Sequence, residues 1–89
     1  MTDDVQNKES MKEAIDTLNQ IVSSNSTPKT IKKSISDLII SLTNQEYSLS
    51  VRAANAISLL DDVTQDPNMP SYVRTQLWQA VSKLESIRE

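Results

Sequence analysis

The sequence predicts an all-α protein, an antiparallel four-helix up-and-down bundle built from two helical-hairpin repeats. Three observations predict it. Apolar residues recur at i, i+3, i+4 and i+7 along nearly the whole chain, the spacing that lines one face of a helix. None of the 89 residues is glycine, where average usage of about 7% gives roughly six; tight β-hairpins lean on glycine, so an all-β fold is disfavoured. The apolar pattern also returns on itself at an offset of 42 residues.

The first helix is expected over roughly residues 7 to 23, with Met11, Ala14, Ile15, Leu18, Ile21 and Val22 on one face. The polar residues 1–7 ahead of it are expected to be flexible. Ser23-Ser24-Asn25-Ser26 interrupts the pattern. Thr27-Pro28 restarts it, with threonine as the N-cap and proline in the first helical position. The second helix carries Ile31, Ile35, Leu38, Ile39 and Leu42 and ends near Asn44. Tyr47-Ser48-Leu49-Ser50 forms the next joint, with Ser48 or Ser50 as cap. The third helix runs to about Gln65. Its apolar residues, Val51 and Ala53, Ala54 and Ala56 among them, reach most of the way round, as in a helix with neighbours on several sides. Asp66-Pro67-Asn68-Met69-Pro70 ends it. The fourth helix spans Pro70 to about Ile87, with Val73, Leu77, Ala80, Val81 and Leu84 inward.

At the offset of 42, Ala14-Ile15 falls on Ala56-Ile57, Leu18 on Leu60, Pro28 on Pro70 and Leu42 on Leu84, without a gap. Ile21/Val63, Ile31/Val73, Lys32/Arg74, Ile35/Leu77 and Ile39/Val81 are conservative pairs in the same frame. The identities land on the core stripe and on the prolines that start helices, which is where a duplicated hairpin would keep them. The repeats cover about 8–44 and 49–87, inside a single domain over 8–87. A period near 42 also falls in the range of about 40–47 residues of HEAT-like units, and two HEAT-like repeats are the alternative architecture. Two hairpins are too few for a solenoid to bury its core, and short loops favour a closed bundle.

Composition excludes more than it assigns. With no histidine and no cysteine, disulfides, the usual nitrogen and sulfur metal sites and most nucleophilic dyads are absent. Without glycine, phosphate-cradling loops and nucleophile elbows have no usual form. A net charge of −3 argues against a general nucleic-acid binder. The start of the chain is acidic with no apolar stretch behind it, unlike a targeting signal, and the longest aliphatic run, Leu38-Ile39-Ile40, is far too short for a membrane span. A non-enzymatic protein without cofactor or metal is expected.

Val51-Arg52-Ala53-Ala54-Asn55-Ala56-Ile57-Ser58, then Asp66-Pro67-Asn68-Met69-Pro70, Arg74 and Trp78, resemble the archaeal uncharacterised protein family 0147 (UPF0147). The likeness covers residues 8 to 86 and is densest from 50 to 85. It implies an archaeal, cytoplasmic, compact helical domain, and it implies no activity and no functional residues. The first of these segments also looks like the start of a second helix in a HEAT-type unit. As in such repeats, Arg52 and Arg74 are expected to make structural ion pairs between hairpins, with Asp66 pairing with Arg74 or shaping its own loop.

Two surfaces stand out. At about 100° per residue, Ile40 lies opposite the core side of its helix, Trp78 and Tyr72 sit about 120° to either side of theirs, and Leu59 flanks a polar strip. Tryptophan at a flank is the residue type enriched at binding hot spots. These four make a candidate partner interface, for a second copy or another protein; their plain structural role would be to cover the ends of a thin bundle. Lys29, Lys32 and Lys33 cluster in the first turns of the second helix, the unfavourable end for their charge. They are a candidate patch for an anionic partner, RNA or a ribonucleoprotein, although no aromatic interleaves them for base stacking. Asp62 and Asp66 share a helical spacing that a hard cation could use, but solvated carboxylates are the simpler account.

Overall fold

Short polar joints divide the chain into four helices. The computed structural model describes residues 4–87, within which α1 spans Asp4–Ser23, α2 Lys29–Leu42, α3 Leu49–Thr64 and α4 Ser71–Glu85. No strand occurs among the described residues. The first helix begins at Asp4, ahead of the apolar stripe, so 4–7 of the segment expected to be flexible are helical; residues 1–3 lie outside the described residues. The reason is tertiary. Asn7 and Ser10 are buried, and the Ser10 hydroxyl lies 2.9 Å from that of Ser86 at the far end of α4. Packing there extends a helix that side-chain pattern alone would start later.

Joints follow local chemistry, with one reassignment. Ser48 caps α3, its hydroxyl accepting from the Val51 amide at 3.3 Å. At α2 and α4 the residue before the helix is the proline itself, Pro28 (φ −58°, ψ 147°) and Pro70 (φ −62°, ψ 146°), and neither start has a side-chain cap. Proline's ring fixes φ near these values, and its carbonyl still accepts the first helical bond. Thr27 is therefore not the cap. Its buried hydroxyl instead donates back to the Ile21 carbonyl at 2.8 Å, satisfying one of the orphan acceptors at the end of α1. Thr27→Val keeps the shape and removes the donor; it is expected to cost about 1 kcal/mol in a urea titration.

The tandem relation survives at the level of individual bonds. Ser24 and Asp66 donate backbone N–H to Ile21 and Val63, Thr27 and Met69 to Ser24 and Asp66, and Lys32 and Arg74 to Pro28 and Pro70. The Ser26 amide meets the Ser24 hydroxyl, and the Asn68 amide meets an Asp66 carboxylate oxygen. Every pair is offset by 42. The two joints are one structure made from different side chains.

The helices close into a ring. Each packs on its neighbours in sequence, α1 packs most extensively on α4, and α1 also approaches α3 across the diagonal, whereas no Cα atom of α2 comes within 8 Å of one in α4. The short diagonal joins helices carrying buried Ala14, Ala53 and Ala56, small enough for close backbone approach. Leu18, Ile21, Ile31, Ile35, Leu42, Leu60, Val73, Leu77 and Leu84 fill the centre. Val51, expected among the apolar residues that wrap α3, turns outward and is 43% exposed. It sits about 160° from Ala53, so the core cannot reach it.

Candidate interaction surfaces

Up-and-down connectivity sorts the side chains by end. One end carries the α1–α2 and α3–α4 joints; the other carries the start of α1, the α2–α3 joint and the end of α4. Ile40 (68% exposed), Leu59 (48%), Tyr72 (47%) and Trp78 (50%) all meet solvent. They do not form one patch. Ile40 and Tyr72 stand near opposite ends of the bundle on diagonally placed helices, and Tyr72 and Trp78 leave α4 on opposite sides of its buried stripe. Two residues missed in the sequence join Ile40 at the α2–α3 corner: Tyr47 is 52% exposed and Val51 43%. The signal for Val51 was available in its helical angle; Tyr47, in a polar joint, gave none.

Each joint around α3 is clamped by an arginine. Arg52 Nη1 donates to the Leu42 carbonyl at 3.0 Å, and Arg74 Nε donates to the Thr64 carbonyl at 3.2 Å. Leu42 and Thr64 are the last residues of α2 and α3. The arginines do tie successive helices, but not through the carboxylate pairs expected of them. Asp66 uses its Oδ1 on the Asn68 amide at 2.9 Å, so it shapes its loop, and among the described residues the ion pairs are Lys33–Asp37 and Lys83–Glu13. A helix's last carbonyls lack internal partners and carry its negative pole, which makes them natural acceptors for guanidinium. One atom is left over: Arg52 Nε is buried without a partner.

Lys29 and Lys33 are exposed and Lys32 is half-buried. Lys33 lies 3.9 Å from Asp37, both largely in solvent, a spacing worth little. Asp61 and Asp62 are exposed in the last turn of α3, where no basic residue offsets them. Among the described residues no three of His, Cys, Asp or Glu stand together to hold a metal ion.

A groove of about 440 Å³ runs between the start of α1 and the end of α4, lined by Val5, Gln6, Glu9, Ser10, Glu13, Ser82, Lys83 and Ser86. It was not foreseen, because its walls come from the two ends of the chain. Lys83 and Glu13 close it with a 2.7 Å pair. The Ser86 hydroxyl donates to the Lys83 carbonyl at 2.6 Å. The same hydroxyl also reaches the Ser10 hydroxyl at 2.9 Å as donor, so its single proton is shared between the two acceptors.

These features define a small all-helical domain of two matched hairpins, with a sealed core and isolated aromatic side chains on its surface. The chain belongs to the uncharacterised protein family UPF0147, whose model matches residues 1–87. It is similar to UPF0147 proteins of the archaea Metallosphaera sedula, 45% identical over 83 residues and 93% of each chain, and Aeropyrum pernix, 40% identical over 93% of this chain and 91% of that one. Two crystal structures share the fold. One, from Thermoplasma acidophilum and of the same family, has a TM-score of 0.86 at 30% identity, covering 93% of this chain and 98% of that one. The other, of a protein of unknown function, has a TM-score of 0.87 at 39% identity over 92% and 93%. None of these descriptions gives an activity. No helix of the described residues is long and apolar enough to cross a membrane.

Proposed function

We propose that this chain is a non-enzymatic protein–protein interaction module of the cytoplasm, a rigid scaffold that presents side chains to a protein partner. The observation that carries this reading is Trp78, half in water in the middle of α4. An indole so placed leaves a large apolar face unused by the fold, and tryptophan in such positions dominates binding when a partner desolvates it. In the groove between α1 and α4 the Ser10 and Ser86 hydroxyls bond to each other and Lys83 pairs with Glu13. An RNA-directed reading through Lys29, Lys32 and Lys33 has less support, because no aromatic side chain accompanies them and a carboxylate faces Lys33.

Trp78 is expected to emit as a solvated indole and to be quenched freely by acrylamide. Trp78→Ala is expected to cost about 2 kcal/mol, because half of the indole is packed on the domain, while leaving the fold intact and abolishing co-purification of the partner from native extract. A variant that keeps every co-purifying protein would remove the basis of this reading.

A further inference from the structure

Three corners of the helical ring carry a cation one turn into the arriving helix. Lys32, Arg52 and Arg74 are half-buried there, and their amides donate to Pro28, Ser48 and Pro70, the residues just ahead of α2, α3 and α4. Arg52 and Arg74 give their guanidinium groups to the last carbonyls of the helices before them. The fourth corner, where the end of α4 meets the start of α1, departs from this plan. At the offset of 42 the position of Arg52 falls on Ser10, a buried serine in the wall of the groove of about 440 Å³. Its neighbours change as well: Val51 and Asn55 correspond to Glu9 and Glu13, which line the same groove. The corner without a cation at this position has carboxylates and open space instead. We infer that the groove receives an arginine side chain from a protein partner, which supplies in trans the guanidinium that Arg52 supplies at the α2–α3 corner.

The inference rests on the interaction-module reading and names the chemistry of the partner. Two carboxylates, Glu9 and Glu13, against the ammonium of Lys83 leave the lining one negative charge in excess. Lys8, Lys12 and Glu85 are near in sequence but do not line the groove. Lys83 holds Glu13 at 2.7 Å with its side chain half in solvent. Glu9 is exposed and belongs to neither ion pair of the described residues, so its carboxylate is open to the planar fork of a guanidinium. The volume falls in the range of ligand pockets, about 300–1,000 Å³. Val5, 70% exposed on the wall, offers apolar surface to the methylene stem. Every corner sets the negative end of one helix beside the positive start of the next, and Arg52 and Arg74 show that a guanidinium is held in that setting. Ser82 lies one turn beyond Trp78, and side chains four residues apart are neighbours on a helix. A partner segment that reaches the groove along α4 therefore crosses the indole.

An NMR titration of the full, nitrogen-15-labelled chain with the blocked tripeptide Ala-Arg-Ala tests it, beside the same peptide carrying citrulline, the uncharged isostere of arginine. The arginine peptide is expected to shift the amides of Glu9, Ser10, Glu13, Ser82 and Ser86 and to saturate with a Kd on the order of 1 mM. The citrulline peptide is expected to bind about fivefold more weakly or worse, because it lacks the charge. Glu9→Gln is expected to weaken arginine binding about threefold or more. Ser10→Arg tethers a guanidinium where Arg52 has one, and is expected to fold and to abolish the titration. Glu9 is exposed, so Glu9→Gln and the citrulline peptide still decide the matter if circular dichroism shows Ser10→Arg unfolded. Equal shifts from both peptides, binding unchanged by Glu9→Gln, or a folded Ser10→Arg that still binds would overturn the inference. So would binding that appears only in Arg88→Gln, since the groove would then belong to the tail of the same chain. These titrations need no partner, whereas the Trp78→Ala co-purification result tests the interaction-module reading alone.

Discussion

Leu18→Ala and Leu60→Ala are each expected to lower the free energy of unfolding by about 3 kcal/mol, and to agree within about 1 kcal/mol. The two leucines are fully buried and stand in register across the 42-residue offset. Truncation of either removes the transfer energy of three carbons and leaves a void that packed helices fill only in part. A chain of 89 residues carries about 5–13 kcal/mol in total, so one substitution removes a large share. Urea titration of the two variants beside Leu59→Ala, whose residue is half in solvent, gives the comparison. Leu59→Ala should cost about 1 kcal/mol. Costs at 18 and 60 differing by 2 kcal/mol or more would mean that the halves share a backbone plan without sharing a packing environment.

The core was legible because burial on a helix follows a fixed angle. Leu18, Ile31, Ile35, Leu60, Val73 and Leu77 needed only the spacing rule to be placed inside. Joints were partly legible: a proline marks where a helix begins, but whether it is the last residue outside or the first inside depends on backbone geometry that composition does not specify. Thr27 was misread for that reason, since its hydroxyl had a carbonyl in α1 to reach, which only the folded turn creates. The arginines were recognised as ties and given the wrong acceptors. Their true acceptors, the carbonyls of Leu42 and Thr64, are backbone atoms that every residue carries. The groove between the chain ends had no local signature.

Fold and surface obey different rules in the two halves. At the same offset of 42, Leu59 corresponds to Thr17, Tyr72 to Thr30, Trp78 to Ser36 and Ile40 to Ser82. Core positions repeat because each hairpin must shelter the other's stripe; the exposed apolar residues do not repeat, so no packing demand common to both halves accounts for them. Exposed apolar side chains scattered singly are ordinary on a folded domain; a half-exposed tryptophan is the less ordinary case.

The arginine clamps give the second large effect, and they should not be equal. Arg74→Met is expected to cost about 2 kcal/mol, the range of a hydrogen bond from a charged donor whose loss leaves a buried acceptor short of partners. Thr64 is buried at the end of α3, and its own hydroxyl is committed to the Asp61 carbonyl, so no neighbour substitutes for the guanidinium. Arg52→Met should cost less, about 1 kcal/mol, although Arg52 binds its carbonyl at the shorter distance. Methionine there also removes the buried Nε that has no partner, and relief of that desolvation offsets part of the lost bond. Both side chains are half-buried, and methionine keeps an unbranched apolar stem of similar length, so the comparison bears mainly on the polar contribution. Repeating the titrations in 1 M salt screens the long-range attraction between guanidinium and helix end, leaving the difference between the two sites intact if it resides in hydrogen bonds. Equal costs at 52 and 74 would show that water reaches the Arg52 Nε in solution, and the asymmetry between the clamps would then disappear.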